Sequence, residues 1–231
     1  MKIQIIQGND HQLEDADVNV VIDVIRAFTV AHRAFINGAN EIILVGTVDE
    51  AFRLKETYVD YLLAGEVGGL PIEGFDLDNS PVHIQQANLQ GKSLIQKTTN
   101  GVKAALHSLN AKHILVTGFS NAKTTAEYIK NRIVKEKPDL SIHIIASHPT
   151  DDDDLACAEY IAGLLNKDNR VSAGDVVKRI EASRAAQKFY DPNNPEFLRE
   201  DIDLCVQEFP SDFVMKVREH EGIPVIERVP V

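Results

Sequence analysis

Apolar positions along the chain alternate between short β-branched runs and longer stretches with helical spacing. Val18 to Ile25, VNVVIDVI, is a nearly continuous apolar run of the kind that suits a strand buried on both faces of a mainly parallel sheet. Asp23 interrupts it, and after Arg26 the pattern AFTVAHRAFINGA predicts a helix that stops at Gly38. Ile42 to Val45 is a short strand, and Thr47 with Glu50 has capping-box spacing that opens a helix through Lys55. Tyr58 to Ala64 is a third strand, and it runs into the loop GEVGGLPIEGFDLDNSP, Gly65 to Pro81. Ser80 caps a helix that begins at Pro81.

The same unit then repeats. Leu94 to Gln96 leads to Lys97, Thr98, Thr99, Asn100, Gly101 and a helix, VKAALHSL. His113 to Val116 leads to Gly118, Phe119, Ser120, Asn121 and a long helix from Ala122. Ile142 to Ala146 leads to SHPTDDDD, Ser147 to Asp154, and the helix LACAEYIAGLLN. Strand, polar cluster and helix recur about five times, which predicts an α/β fold with a mixed, mainly parallel sheet flanked by helices. Beyond Asn166 the pattern turns helical: Ser172 with Asp175 is a second capping box, and Asp191 to Pro195 is a turn before FLREDIDLCVQEF. The tail FVMKVREHEGIPVIERV reads as one or two strands added antiparallel at a sheet edge. No linker divides residues 1–231, so one domain is expected.

Composition narrows the partners. A net charge of -11 argues against nucleic acid or an anionic membrane surface, since either requires basic patches. It leaves room for a small anionic ligand in a local site. The start MKIQIIQGND lacks the features of a secretory signal, and no apolar run reaches membrane-spanning length, so a cytoplasmic location is expected. Cys157 and Cys205, far apart in apolar segments, are expected as buried free thiols. A homodimer is one open arrangement.

In open α/β sheets ligands bind beyond the carboxyl ends of the strands, where the polar clusters lie. Thr98, Thr99, Asn100 and Gly101 offer hydroxyls, an amide and helix-start N–H groups suited to an oxyanion, or equally an ordinary capped turn. Arg26 could grip that anion through its planar fork, or only pair with Asp23. In the run Asp151 to Asp154, most acids fit the helix dipole as solvated groups. Asp154, beside LACA, is the first candidate for a metal or base role and Asp153 the second. In the loop, Glu66 directly follows a strand and Asp76 stands between Phe75 and Leu77, so both are preferred over Glu73 and Asp78. The eight histidines show no HExxH spacing, no G-x-S-x-G elbow occurs, and the P-loop and dinucleotide signatures are incomplete.

Five segments together resemble the 2-phosphosulfolactate phosphatase (ComB) family: DVIRAFTVA from Asp23, the Gly65–Pro81 loop, KTTNGVKAA from Lys97, GFSNAKTTA from Gly118 and DDLACAEYI from Asp153. The resemblance implies a ComB-like three-layer fold and Mg²⁺-dependent hydrolysis of a small phosphorylated acid, 2-phosphosulfolactate, to sulfolactate and phosphate, a step toward coenzyme M. Phe28, Lys97 and Asp78 depart from the family pattern. On this reading Glu66, Asp76 and Asp154 hold Mg²⁺, directly or through water. Arg26 and the Thr99–Gly101 turn bind the phosphoryl group, and Asn79, Ser80, Thr98, Ser120 and Asn121 complete the substrate site. Water is the expected attacker, with Asp23 the candidate base or nucleophile. The rival readings are a phosphatase for another small phosphorylated hydroxy acid and a non-catalytic anion-binding protein of the same fold.

Overall fold

The computed structural model of the protein describes residues 1–168 and 170–231. Its strands are β1 (Lys2–Gln7), β2 (Ala16–Ile22), β3 (Glu41–Leu44), β4 (Leu62–Val67), β5 (Leu70–Pro71), β6 (Leu94–Lys97), β7 (Ala111–Thr117), β8 (Ser141–Ala146), β9 (Phe213–His220) and β10 (Ile223–Pro230). They form one ten-stranded sheet in the order β1-β8-β2-β7-β9-β10-β3-β6-β4-β5. Two parallel blocks, β1-β8-β2-β7 and β3-β6-β4, are as the β-branched runs predict.

The tail corrects the expectation of edge strands. β9 and β10 form an antiparallel hairpin in the middle of the sheet, joining β7 of one block to β3 of the other. Glu221 and Gly222, at φ 53° and 81°, make its two-residue turn, the primed geometry that matches strand twist. Val214, Met215, Val217, Val225 and Ile226 are buried, as a central position demands. β1, absent from the sequence reading, occupies one edge, and β4 starts only at Leu62 because the preceding helix runs to Thr57.

Three successive antiparallel pairings reverse the direction of one block relative to the other. Twist offsets that reversal. Five pairings separate β2 from β6, and at roughly 20–25° each they accumulate roughly 100–125° of rotation. The carboxyl ends of the two blocks are thereby turned toward one another. Residues from both blocks share one core with α1 (Ala27–Ile36), α3 (Pro81–Gln86) and α4 (Gly101–Leu106), including Val21, Val116 and Ile145 from one block and Ile42, Ala64 and Leu94 from the other. α1 is buried from Ala27 through Phe35, as an apolar helix enclosed on all sides should be.

The opposite face of the first block packs on α5 (Ala122–Tyr128), α6 (Val134–Glu136) and α7 (Asp152–Asn166), through Val20, Ile22, Leu115, Ile142 and Ile144. α2 (Val48–Thr57) covers the second block, opened by Thr47 Oγ1, which accepts the Glu50 N–H at 3.1 Å. α8 (Ala173–Ala182), α9 (Arg184–Gln187) and α10 (Arg199–Cys205) complete the chain before the hairpin. The Ser172–Asp175 capping box opens α8 as predicted.

Candidate active site

β2 ends at Ile22, so Asp23 lies in the turn into α1, where its Oδ1 accepts the Ala27 N–H at 2.8 Å. Its other oxygen lies 3.4 Å from Ser147 Oγ, which is itself 2.9 Å from Asp154 Oδ2. Asp154 also accepts the N–H groups of Val24 (2.7 Å) and His148 (2.9 Å), tying the ends of β2 and β8 together. A Cβ on Gly101 would stand 2.5 Å from the Asp23 carboxylate, so only glycine lets the start of α4 come this close.

Burial, then the neighbouring charges of Asp154 and Glu66, push Asp23 up to about 8. Burial, then Asp23 and Asp151, push Asp153 up to about 7, and burial followed by Asp153 raises Asp154 well above the usual carboxylate range. Asp153 Oδ1 is buried without a hydrogen-bond partner. These acids bind protons more tightly folded than unfolded. Their contribution to stability is therefore fully present below their unfolded value of 3.8 and is lost as the pH rises through 7 and 8. At neutral pH, with no metal ion bound against them, these acids work against the fold.

Glu66, at the end of β4, is fully occupied. Its Oε1 accepts Thr99 N–H at 2.5 Å, and its Oε2 accepts Gly69 N–H at 2.5 Å and Thr99 Oγ1 at 2.9 Å. Thr99 Oγ1 in turn accepts the Gly68 N–H at 2.9 Å. Glu66 thus joins the β4–β5 turn to the β6–α4 turn.

Arg26 is buried against Asp201 of α10, Nη1 to Oδ2 at 2.8 Å, while its Nη2 donates to the Gly69 carbonyl at 3.0 Å. Its guanidinium lies 5.0 and 5.8 Å from the ring centres of Phe189 and Phe197. Asp201 also accepts Ser80 Oγ at 2.5 Å. Asp151 accepts the N–H groups of Arg184 (3.0 Å) and Ala185 (2.6 Å), which anchors the start of α9.

Between these groups lies a cleft of about 440 Å³. Asp23, Ile25 and Arg26 enter it after β2, and Glu66, Gly68, Gly69, Asn79, Thr99 and Asn100 from the second block. His148, Thr150 and Asp151 enter after β8, and Arg184, Ala185, Lys188 and Phe189 from the C-terminal third. Three cationic side chains, Arg26, Arg184 and Lys188, share it in a chain whose net charge is -11.

A model of the 2-phosphosulpholactate phosphatase family matches residues 4–220. The chain belongs to the 2-phosphosulfolactate phosphatase family. A Bacillus subtilis (strain 168) protein named probable 2-phosphosulfolactate phosphatase is 58% identical over 229 residues, spanning 99% of each chain. Proteins with the same name from Clostridium perfringens (strain SM101 / Type A) and Clostridium tetani (strain Massachusetts / E88) are 32% and 34% identical. The first match covers 96% of this chain and 95% of the relative, the second 87% and 84%.

Within this member of the 2-phosphosulfolactate phosphatase family, the cleft brings Asp23, Arg26, Glu66, Asn79, Thr99 and Asn100 together. Several expected residues stand elsewhere. Asp76 lies in a separate depression with Phe75 and His83. There its carboxylate, 42% exposed, accepts the Leu63 N–H at 2.8 Å and lies 3.9 Å from Lys55, fastening the loop back onto β4. Thr98 Oγ1 accepts the Val102 N–H at 3.0 Å, and Ser80 caps α3. The Thr98–Gly101 turn spends donors on the protein's own acid, Thr99 N–H and Oγ1 both on Glu66, rather than holding them open for phosphate. Arg26 pairs with Asp201, not Asp23. Asp151, read within the Asp151–Asp154 run as a solvated acid, is buried and accepts the Arg184 and Ala185 N–H groups, and Arg184, Lys188 and Asp201 carry no local sequence signal because their partners lie far away in the chain.

Ser120 and Asn121 sit beside α1 in another buried cluster. Asn121 Oδ1 lies 2.8 Å from Thr117 Oγ1, and Ser120 Oγ lies 2.8 Å from His32 Nδ1. Burial, then the Arg33 charge, push His32 down to about 3. Its folded value lies below the unfolded 6.5, so its contribution is complete above pH 6.5 and is lost as the pH falls toward 3. Between those pH values wild type should lose roughly 4–5 kcal/mol of stability relative to His32→Gln as the pH falls. Urea unfolding across that range measures it, and a constant difference would refute it.

Mg²⁺ is the metal implied by the resemblance, and the expected set of Glu66, Asp76 and Asp154 does not converge on it. Among the described residues no group of three or more His, Cys, Asp or Glu is arranged to hold a metal. A site needing only one or two carboxylates, with water and substrate phosphate completing the shell, fits better. Asp23 lines the cleft, Asp153 carries the unpartnered oxygen, and both would exchange a proton for a cation.

Proposed function

We propose that this chain hydrolyses the phosphoric monoester of 2-phosphosulfolactate to sulfolactate and phosphate, with Mg²⁺ as cofactor, on the route to coenzyme M. The observation that carries this reading is the gathering of Arg26, Arg184 and Lys188 around one small cleft above raised-pKa acids. The substrate presents phosphoryl, sulfonate and carboxylate groups, three anions for three cations. The cleft volume lies in the range of small-molecule sites.

Asp23 and Asp153 would hold Mg²⁺, which when bound supplies positive charge to the phosphoryl oxygens. Glu66 keeps both loops in place, and Arg26, oriented by Asp201 and the aromatic slot, steadies the charge that builds on those oxygens during attack. Asp151 holds the start of α9, so that Arg184 and Lys188 close the remaining side.

Phosphate release from 2-phosphosulfolactate, phospholactate and phosphoglycolate, with and without EDTA, tests the reading. Release should be fastest from 2-phosphosulfolactate, fall by about 10²-fold or more in EDTA and return with Mg²⁺. Turnover indifferent to EDTA would sink the metal. Preference for phospholactate would sink the sulfonate, and no release from any compound would favour a non-catalytic binding protein.

A further inference from the structure

Hydrolysis of an alkyl phosphate expels a strongly basic alkoxide, and a proton must reach its oxygen as the bond to phosphorus breaks. Resting on the phosphatase reading above, we propose that Lys188 is the general acid of this cleft, its Nζ donating that proton to the leaving oxygen. The P–O bond to the alcohol breaks and a P–O bond to water forms. The alkoxide electron pair takes a proton from Nζ, leaving a neutral amine, and the proton lost by the attacking water restores the ammonium through solvent.

Position comes first. Lys188 lines the same cleft as Asp23, in a slot where Nζ lies 4.4 Å from the Phe197 ring centre and 5.6 Å from that of Phe189. A Cβ on Gly69 would stand 2.7 Å from Nζ. The Gly69 carbonyl accepts from Arg26, so the ammonium and the guanidinium flank one residue of the β4–β5 turn.

Availability comes second. Among the described residues nothing accepts a hydrogen bond or an ion pair from Lys188 Nζ, whereas Arg26 is held by Asp201 and Arg184 by Thr150. Its protons face the cleft unspent. The two arginines cannot serve, since a guanidinium does not give up its proton in a protein.

Environment comes third. Burial first, then the Arg26 charge, pull the Lys188 ammonium below its ordinary value, while Glu66, Asp153 and Asp23 pull the other way. Partial desolvation beside a second cation is how a lysine becomes able to release a proton near neutral pH.

The other titrating groups of the cleft fit worse. Asp23 and Asp153 lose their protons once a cation occupies the corner. His148 Nδ1 accepts the N–H groups of Thr150 (3.3 Å) and Asp151 (2.9 Å), and burial lowers its pKa. It is therefore held neutral, with its remaining proton on the weakly acidic Nε2.

The test compares leaving groups in Lys188→Met and Lys188→Arg. On 2-phosphosulfolactate both variants should lose about 10²–10³-fold in kcat. On 4-nitrophenyl phosphate, whose phenolate leaves without a proton, the loss should stay within about fivefold. The alkaline limb of the wild-type pH profile on the alkyl substrate should vanish in Lys188→Arg. Rescue by arginine would reduce Lys188 to a point charge and overturn the proposal, as would equal losses on both substrates or an unchanged alkaline limb. A wild type that hydrolyses phospholactate but not 2-phosphosulfolactate overturns the substrate assignment alone. The same comparison on phospholactate then decides Lys188.

Discussion

Asp23→Asn is expected to lower kcat/KM for phosphate release by about 10³-fold, yet to leave the metal-free protein more stable than wild type at pH 8. The two effects have one cause. Asp23 is buried in the cleft floor beside Asp154, and its pKa is pushed up to about 8 by burial first and by that neighbour second. Ionising it in the folded state is unfavourable, and the cost grows as the pH rises above the unfolded value of 3.8. Asparagine removes the charge while keeping an oxygen to accept the Ala27 N–H that Asp23 accepts at 2.8 Å. A gain on the order of 1–3 kcal/mol at pH 8 is expected, fading toward pH 4. Thermal unfolding at both pH values, alongside kinetics, checks it. A variant that is both inactive and less stable at pH 8 would mark Asp23 as a structural cap instead.

Asp201→Ala is expected to cost about 3–5 kcal/mol and to abolish turnover. Asp201 is fully buried and is the ion-pair partner of Arg26, and it also accepts Ser80 Oγ at the start of α3. Truncating it leaves a buried guanidinium without its counter-charge, which is far more costly than removing the pair together. The double variant Asp201→Ala/Arg26→Met should therefore recover part of the lost stability while staying inactive. Urea unfolding of the four proteins in the cycle measures the coupling. Additive losses would show that Arg26 does not depend on Asp201.

Much of the scaffold is legible in sequence because it is local. The β-branched runs at Val18–Ile22 and Ile142–Ala146 declare buried parallel strands, and Thr47, Ser80 and Ser172 declare helix starts. The position of the β9–β10 hairpin is not local. Its alternating apolar residues say that a strand exists, while the choice between edge and centre depends on what the other strands leave unpaired. Burial of Val214, Met215 and Ile226 follows from that distant choice.

The site divides in the same way. Asp23 and Arg26 stand out because they follow a buried strand, and Glu66 because it ends one. Asp76 misled through its apolar neighbours: Phe75 and Leu77 do pack inward, yet the carboxylate turns to the Leu63 N–H. The Thr98–Gly101 turn reads in sequence as donors for an oxyanion or as a capped turn, and in the fold Glu66 of the same chain takes the N–H and Oγ1 of Thr99. Asp201 carries no local signal among the acids of its helical stretch, because its partner Arg26 lies 175 residues away in sequence. Lys188 and Arg184 gain meaning only when Asp151 draws α9 over the cleft.

The central claim, that one cleft built from both sheet blocks and the C-terminal third binds the phosphoryl group, is tested most directly by a crystal structure with vanadate, sulfolactate and Mg²⁺. Vanadium should lie within reach of Asp23, Arg26 and Lys188, with the ester oxygen facing Nζ. Vanadate seated instead in the Asp76 depression, or beside Ser120 and Asn121, would contradict the account.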